Sequence, residues 1–225
     1  MSSAKKISRR PGRWLGPALL VLAALPLAAW AQAGSGGGTI RYQPPDPNAP
    51  AATVGGSIRG SENDLSLTVI APPGLAATIS PRPVIYWHAS NRINVPVELV
   101  LIEEGGEEAL AEVRLDPPLD AGMQAFELPD KVSLELGKVY QFSVAAVADE
   151  NVRSNDVFAS TLLQHAMALT ADPSGGPLVQ AKELAAAGVW YDALALLEQE
   201  AENSAAARAL RDELLRQADL EQVLN

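Results

Sequence analysis

The stretch of sequence that decides the fold is residues 95–115, VPVELVLIEEGGEEALAEVRL. Two runs rich in β-forming residues, 95–104 and 107–115, flank the pair Gly105 and Gly106. A Gly-Gly pair between two such runs is typical of a tight hairpin, because glycine adopts the positive φ values that the turn requires. The sequence therefore predicts an antiparallel β-hairpin at the centre of the chain.

Four glutamates surround the predicted turn: Glu103, Glu104, Glu107 and Glu108. Calcium prefers carboxylate oxygens, but the D-x-D-x-D-G loop pattern is absent and a tight hairpin projects its side chains apart. We therefore favour a solvated tip whose charges discourage pairing with another strand. Calcium binding is the alternative.

Further strand-like runs lie on both sides of the hairpin, separated by turns rich in proline and glycine. They cover residues 65–70, 84–88, 123–128, 139–148 and 157–163. In the run 139–148, one face is formed by Tyr140, Phe142, Val144 and Ala146. About seven short runs at this spacing predict an antiparallel β-sandwich over residues 61–170.

Two segments of this region resemble fibronectin type III and immunoglobulin-like domains. They are residues 83–87 (PVIYW) and 136–140 (LGKVY). In such domains the tryptophan, here Trp87, lies in the core, and the tyrosine, here Tyr140, ties back a loop. The resemblance implies a fold and not a function.

After the sandwich, the apolar residues change to a helical period over residues 171–225. The pattern predicts about three helices, with Ser204 as the N-cap of the third. Residues 181–200 (AKELAAAGVWYDALALLEQE) resemble one tetratricopeptide helix pair. A single pair cannot form a solenoid, so these helices must pack on the sandwich, on one another or on a partner. The fold class is therefore α+β: an antiparallel immunoglobulin/fibronectin III-like sandwich followed by a helical tail.

The N-terminal residues 1–31 have the layout of a secretory signal peptide. A basic head is followed by an uncharged apolar run over residues 15–29 and by the sequence Ala-Trp-Ala at 29–31. An uncleaved membrane anchor is the alternative, although the run is short for a span. Residues 32–60 are rich in glycine and proline and are predicted to be a flexible linker.

Charge and cysteine content exclude several classes of function. The predicted signal peptide holds five of the 17 basic residues and none of the 27 acidic ones, so the rest of the chain has 12 basic residues against 27 acidic. Such a balance repels phosphate backbones, and nucleic-acid binding is not expected. The chain has no cysteine, which excludes disulfides, thiolate metal sites and cysteine nucleophiles.

Six segments together resemble the family called domain of unknown function 928, which is found in exported bacterial proteins. They run in order along the chain as YQPP (42–45), GGSIRG (55–60), PRP (81–83), LGKVY (136–140), RSND (153–156) and GVWYDAL (188–194). The resemblance implies export and this fold, but no known activity or site. The family's association with bacterial sensor proteins implies an accessory role in sensing.

No residue pattern indicates a catalytic, cofactor or metal site. His88 and His165 lack a paired nucleophile or a ligand spacing, so structural or surface roles are favoured. Arg59 and Arg153 could contact an anionic ligand, but for Arg153 an ion pair with Asp156 within a loop is favoured. The candidate interaction surface is formed by Arg59, Trp190, Tyr191, Leu194 and Leu197. For Trp190 and Tyr191, the favoured alternative is burial between the tail and the sandwich.

The sequence favours a non-catalytic periplasmic or secreted module for interaction or accessory sensing. Its expected partner is another extracytoplasmic protein, without nucleic acid, cofactor or stable membrane span after cleavage. The alternative is a hydrolase or carbohydrate-active domain that works through paired acidic residues. A deep pocket with two facing carboxylates favours the enzyme, and an apolar patch around the helices favours the module.

We expect signal peptidase to cut after Ala31, so that exported protein begins at Gln32, because small residues occupy both positions that the enzyme reads. N-terminal sequencing and intact mass of exported protein measure the cleavage site. Protein found in the membrane with residues 1–31 still attached would contradict the export prediction.

Overall fold

Alternation of apolar and polar residues produces a β-rich core in this computed structural model, which describes residues 38–45, 56–57, 65–167 and 173–224. The predicted signal peptide 1–31 and Arg59 lie outside the described residues. Nine strands are present in the described part of the chain. They are β1 Gly56–Ser57, β2 Ser66–Val69, β3 Leu75–Thr78, β4 Val84–Ala89, β5 Val97–Glu103, β6 Ala109–Leu115, β7 Gly122–Glu127, β8 Val139–Ala146 and β9 Val157–His165.

The strands form two sheets, one of four strands in the order β1-β2-β4-β7 and one of five in the order β3-β9-β8-β5-β6. Three helices follow: α1 Pro177–Ala186, α2 Trp190–Ala201 and α3 Ala205–Arg216. The mixed α+β class is therefore confirmed. No helix within the described ranges is long and apolar enough to cross a membrane.

The central hairpin is confirmed. β5 and β6 pair antiparallel, with Val97 opposite Leu115, and the register shifts between Leu101 and Ile102. At the turn, Gly105 has a φ of 78°, and the amide of Gly106 donates to the carbonyl oxygen of Glu103 at 2.8 Å. Glycine adopts this φ without the steric cost that a side chain would add.

The expectation of a wholly antiparallel sandwich is wrong at one edge. β3, which the sequence pattern did not reveal, pairs parallel with β9, with Leu75 opposite Leu162. After β2, which belongs to the four-stranded sheet, the chain crosses to the five-stranded sheet. There β3 runs in the same direction as the last strand, β9. The helical segment covers β3, since the amide of Ala77 donates to the carbonyl oxygen of Gly188 at 3.4 Å.

The inner faces of the two sheets carry the predicted core. Trp87 is 1% exposed, and the four residues predicted to share one face of β8 are all buried. The rings of Phe126 and Phe142 stack between the sheets with their centroids 5.1 Å apart. The hydroxyl of Tyr140 accepts a hydrogen bond of 2.8 Å from the amide of Glu135, so this side chain does tie back the loop before its strand.

The helices share one hydrophobic core with the sandwich. The indole nitrogen of Trp190 donates to the carbonyl oxygen of Ile70 at 2.9 Å, which joins the start of α2 to the end of β2. Ser204 caps α3 as predicted, because its hydroxyl oxygen accepts from the amide of Ala207 at 3.2 Å. The helical segment packs on the sandwich, which is the first of the three possibilities that the sequence left open.

Residues 38–45, which we call the N-terminal strap, correct the prediction of a flexible linker for that part of the chain. The amide of Tyr42 donates to Gln217 Oε1 at 2.8 Å, and Gln217 Nε2 donates to the carbonyl oxygen of Ile40 at 2.9 Å. Ile40 is buried, and the ring of Tyr42 meets that of Trp190 edge-on at 5.1 Å. The alternate apolar side chains of Ile40 and Tyr42 thus hold the strap against the helical segment, although its composition alone indicates a linker.

The strap approaches the turn between α1 and α2 so closely that only glycine fits there. Gly188 has a φ of 81°. A Cβ atom at this position would lie 2.8 Å from the carbonyl oxygen of Gln43 and 2.9 Å from Cγ of Pro45. Gly137 has nearly the same φ of 83° but no atom within 4 Å of its Cβ position, which makes it a matched control.

We expect Gly137→Ala to lower the free energy of unfolding by about 1–2 kcal/mol, the cost of a left-handed alanine. Gly188→Ala should lower it further, because the added methyl group also displaces the strap. Denaturant unfolding measures both changes, and hydrogen exchange at the Gln43 amide, which donates to the Ala185 carbonyl oxygen, reports the strap. Equal losses in the two variants, with unchanged exchange at Gln43, would show that the strap does not depend on this contact.

Candidate functional site

A cleft of about 530 Å³ lies where α2 meets the outer face of the four-stranded sheet. We call it the interfacial cleft. The sheet contributes Val84, Tyr86 and Glu127, and α2 contributes Asp192, Leu196 and Gln199. The cleft therefore exists only because the helical segment is docked on the sandwich.

Strand alternation decides which side chains of the sheet reach the cleft. In β4, Ile85 and Trp87 are buried between the sheets, whereas Val84 and Tyr86 are half-buried on the other face. Val84 lies directly opposite Glu127 of β7 in the antiparallel register. Residues opposite each other in such a pair share a face, so Glu127 lies on the cleft side with Tyr86.

Tyr86 lies in a negative environment. Burial raises the pKa of its hydroxyl to about 12, and the charges of Glu198 and then Glu127 contribute to the same shift. A nearby negative charge disfavours the phenolate, which is also negative. Burial is the main cause of the raised pKa, and Glu198 on the helical side and Glu127 on the sheet side add to it.

Asp192 joins the first turn of α2 to the end of β3. Its Oδ2 accepts hydrogen bonds from the hydroxyl of Thr78 at 2.7 Å and from the amide of Ile79 at 3.1 Å. Burial raises the pKa of this carboxyl, although both hydrogen bonds oppose the shift. Desolvation therefore outweighs the hydrogen bonds, and the folded protein favours the protonated acid more than the unfolded chain does.

Glu198 is a second partly desolvated carboxylate of α2. Its Oε2 lies 3.5 Å from Nη1 of Arg211 on α3, while Oε1 is buried without a hydrogen-bond partner. Burial raises the pKa of this carboxyl, and the charge of Arg211 opposes the shift. A single long ion pair thus leaves the charge of Glu198 only partly compensated.

Arg82 stands at the cleft rim with its guanidinium already engaged. Its Nη2 donates to the carbonyl oxygen of Leu128 at 2.9 Å and lies 3.0 Å from Oδ1 of Asp130. These contacts hold the cation toward the loop after β7. The cleft side of Tyr86 is therefore left with a surplus of carboxylates.

The predicted interaction surface is corrected by burial. The relative exposure of Trp190, Tyr191, Leu194 and Leu197 is at most 1%. All four belong to the hydrophobic core that the helices share with the sandwich, which agrees with the alternative favoured for Trp190 and Tyr191. The fifth residue, Arg59, lies outside the described residues.

The remaining candidates occupy the structural positions that the sequence suggested. Arg153 pairs with Asp156 at 2.6 Å and with Glu98 at 2.6 Å, and the hydrogen bond from Arg153 is the main reason that the pKa of Glu98 is lowered. His165 is buried with Nδ1 3.0 Å from the carbonyl oxygen of Leu134. Burial lowers the pKa of His88.

The glutamates at the hairpin tip do not converge. Glu103 pairs instead with Lys138 of the neighbouring loop at 2.9 Å, and Glu104, Glu107 and Glu108 are exposed. Among the residues that the structure describes, no three histidine, aspartate or glutamate side chains are grouped as a metal site. The exposed glutamates and the pair between Glu103 and Lys138 support a solvated tip.

Sequence reasoning missed Tyr86, Glu127, Asp192 and Gln199 as members of one site. In the sequence, Tyr86 belongs to the aromatic strand segment 83–87, and Asp192 belongs to the helical segment 181–200 and to the GVWYDAL segment. The one available signal was Asp192 in the first turn of α2, where an acidic residue is favourable. That signal indicates a helix start and gives no information about the sheet that faces it.

The chain matches a protein-family model over most of its length. A family model described as Domain of Unknown Function (DUF928) matches residues 54–225, about three-quarters of the chain. No curated protein matches the chain. The match covers the sandwich and all three helices, so the two parts that form the cleft lie within one family unit.

We expect Asp192→Ala to lower the free energy of unfolding by about 1–3 kcal/mol, because it leaves the Thr78 hydroxyl and the Ile79 amide without their acceptor. Asp192→Asn should cost less, since an amide oxygen can accept both bonds. The pKa of Asp192 is raised on folding, so its contribution to stability is present at low pH and is lost as pH rises through the folded-state pKa.

The stability of Asp192→Asn relative to the natural protein should therefore improve as pH rises from about 4 to 7. Denaturant unfolding of both proteins across that range measures the difference. A difference independent of pH would show that burial does not govern the titration of Asp192.

Proposed function

The chain belongs to the family described as Domain of Unknown Function (DUF928), and from its structure we propose that it is a non-catalytic interaction module acting outside the cytoplasm. In this proposal the interfacial cleft binds a segment of another extracytoplasmic protein. An accessory role in sensing is compatible with such binding. The cleft is the observation that carries the proposal.

The size and lining of the cleft support binding. A volume of about 530 Å³ lies within the range of ligand sites, which combine apolar walls with a few polar groups. Val84 and Leu196 supply apolar surface, while Tyr86, Gln199 and Glu127 supply polar groups. This combination suits one or two side chains of an extended protein segment.

The fold proposed for the module is an immunoglobulin/fibronectin III-like sandwich with one tetratricopeptide-like helix pair. The two-sheet arrangement, the buried Trp87 and the loop-binding hydroxyl of Tyr140 support the first part. The contact between two consecutive short helices, joined by a turn at Gly188, supports the second. Both folds serve many functions, so the site rather than the fold supports the binding role.

Export is proposed from the sequence. The basic head, the apolar run and the Ala-Trp-Ala sequence of residues 1–31 support cleavage by signal peptidase. The partner is therefore expected outside the cytoplasm.

One observation favours the hydrolase alternative. Asp192 and Glu127 line the same cleft, and a carboxyl whose pKa is raised by burial is suited to act as a general acid. However, Oδ2 of Asp192 is committed to Thr78 and Ile79, which favours a structural role for this acid. Binding without turnover is therefore the better-supported function.

A photo-crosslinking residue tests the proposal at the exposed position Gln199, on the cleft rim. The matched control is Glu112, which is also exposed and lies on the edge strand β6 of the other sheet. We expect irradiation of cells that export the full chain to give a defined adduct with an extracytoplasmic protein from position 199 and not from position 112.

Adducts from position 112 alone would contradict the cleft as the binding site. An adduct with a cytoplasmic protein would contradict the proposed location. Hydrolysis of glycoside substrates by purified protein, lost in Glu127→Gln and in Asp192→Asn, would support the enzyme instead.

A further inference from the structure

The carboxylates around Tyr86 determine what charge the interfacial cleft accepts. Glu127 of β7 is exposed at the sheet side, and Asp192 lies on the helical side. Glu198 is close enough to affect the ring of Tyr86 electrostatically. Negative groups thus approach the tyrosine from two separate structural elements.

The positive groups nearby do not balance this charge. Arg82 is directed to Leu128 and Asp130, and Arg211 is shared between Glu198 and Asp212. Within the described ranges, Glu127 takes part in no ion pair. An anionic occupant would meet several carboxylates, and Nη2 of Arg82 is already committed to Leu128 and Asp130.

We propose that the interfacial cleft binds a lysine or arginine side chain of the partner protein, with its cationic group between Glu127 and the ring of Tyr86. This inference rests on the proposed function and names the chemistry that the cleft recognises. A cation is attracted both to a carboxylate and to the face of an aromatic ring.

The apolar part of the lining suits the stem of the same side chain. Val84 and Leu196 border the cleft, and lysine and arginine bury their methylene groups along apolar surface while the charged head stays near water. The chain as a whole has a net charge of −10, which steers basic partners toward it. Charge at the site and charge of the whole protein therefore favour the same class of occupant.

Capped pentapeptides test this inference. Each has one variable central residue, and the flanking residues are glycine and serine. The central residue is lysine, arginine, norleucine or glutamate. Norleucine has a stem like that of lysine but no charge. Binding to the full mature chain is followed by amide chemical shifts of Tyr86 and Gln199 in NMR titrations.

We expect the lysine and arginine peptides to shift these signals saturably, and the norleucine and glutamate peptides to bind at least several-fold more weakly. Glu127→Gln should weaken binding of the lysine peptide roughly two- to fivefold, the range of an exposed ion pair. Glu112→Gln changes the net charge equally but lies on the other sheet, so it should leave affinity unchanged.

Equal binding of the lysine and norleucine peptides would overturn the inference. Equal weakening by the two glutamine variants would also overturn it, since the attraction would then come from net charge alone. If no peptide shifts the cleft signals while Gln199 still crosslinks a protein, the inference fails and the proposed function stands. If crosslinking at Gln199 is absent as well, both fail.

Discussion

The hydrogen bond from the indole nitrogen of Trp190 to the carbonyl oxygen of Ile70 joins the two parts of the molecule. Trp190 is fully buried, and an indole N–H buried without an acceptor would cost free energy. The start of α2 must therefore lie at the end of β2. Once that position is fixed, α2 runs beside β4, and the interfacial cleft forms between them.

Local sequence patterns determine much of this fold, because strand alternation and turn residues act over short distances. The hairpin around Gly105, the inward face of β8 and the cap at Ser204 are all local features. β3 was missed because its sequence, LAAT, has no alternation. β3 is covered by α2 as well as by the core, so both of its faces are apolar. The alternation of apolar and polar residues expected for a half-buried strand is therefore absent.

The candidate site could not be predicted in the same way. Tyr86 and Glu127 come from β4 and β7, which are far apart in the chain and pair only in the folded sheet, and Gln199 joins them only when α2 docks. The sequence instead suggests the apolar and aromatic residues of α2 as a possible interaction surface. In the structure, these residues are buried when α2 docks on the rest of the chain. A helical residue such as Trp190 is therefore ambiguous from periodicity alone, because the same pattern describes a face buried within the chain and a face offered to a partner.

The carboxylates of the cleft divide into two physical classes. Asp192 is desolvated and accepts two hydrogen bonds from the end of β3, so its removal changes the junction that forms the cleft. Glu127 is exposed, and an exposed carboxylate contributes little to stability. Since the fold does not require the charge of Glu127, that charge is free to serve recognition, and changes at this position separate binding from folding in a way that changes at Asp192 do not.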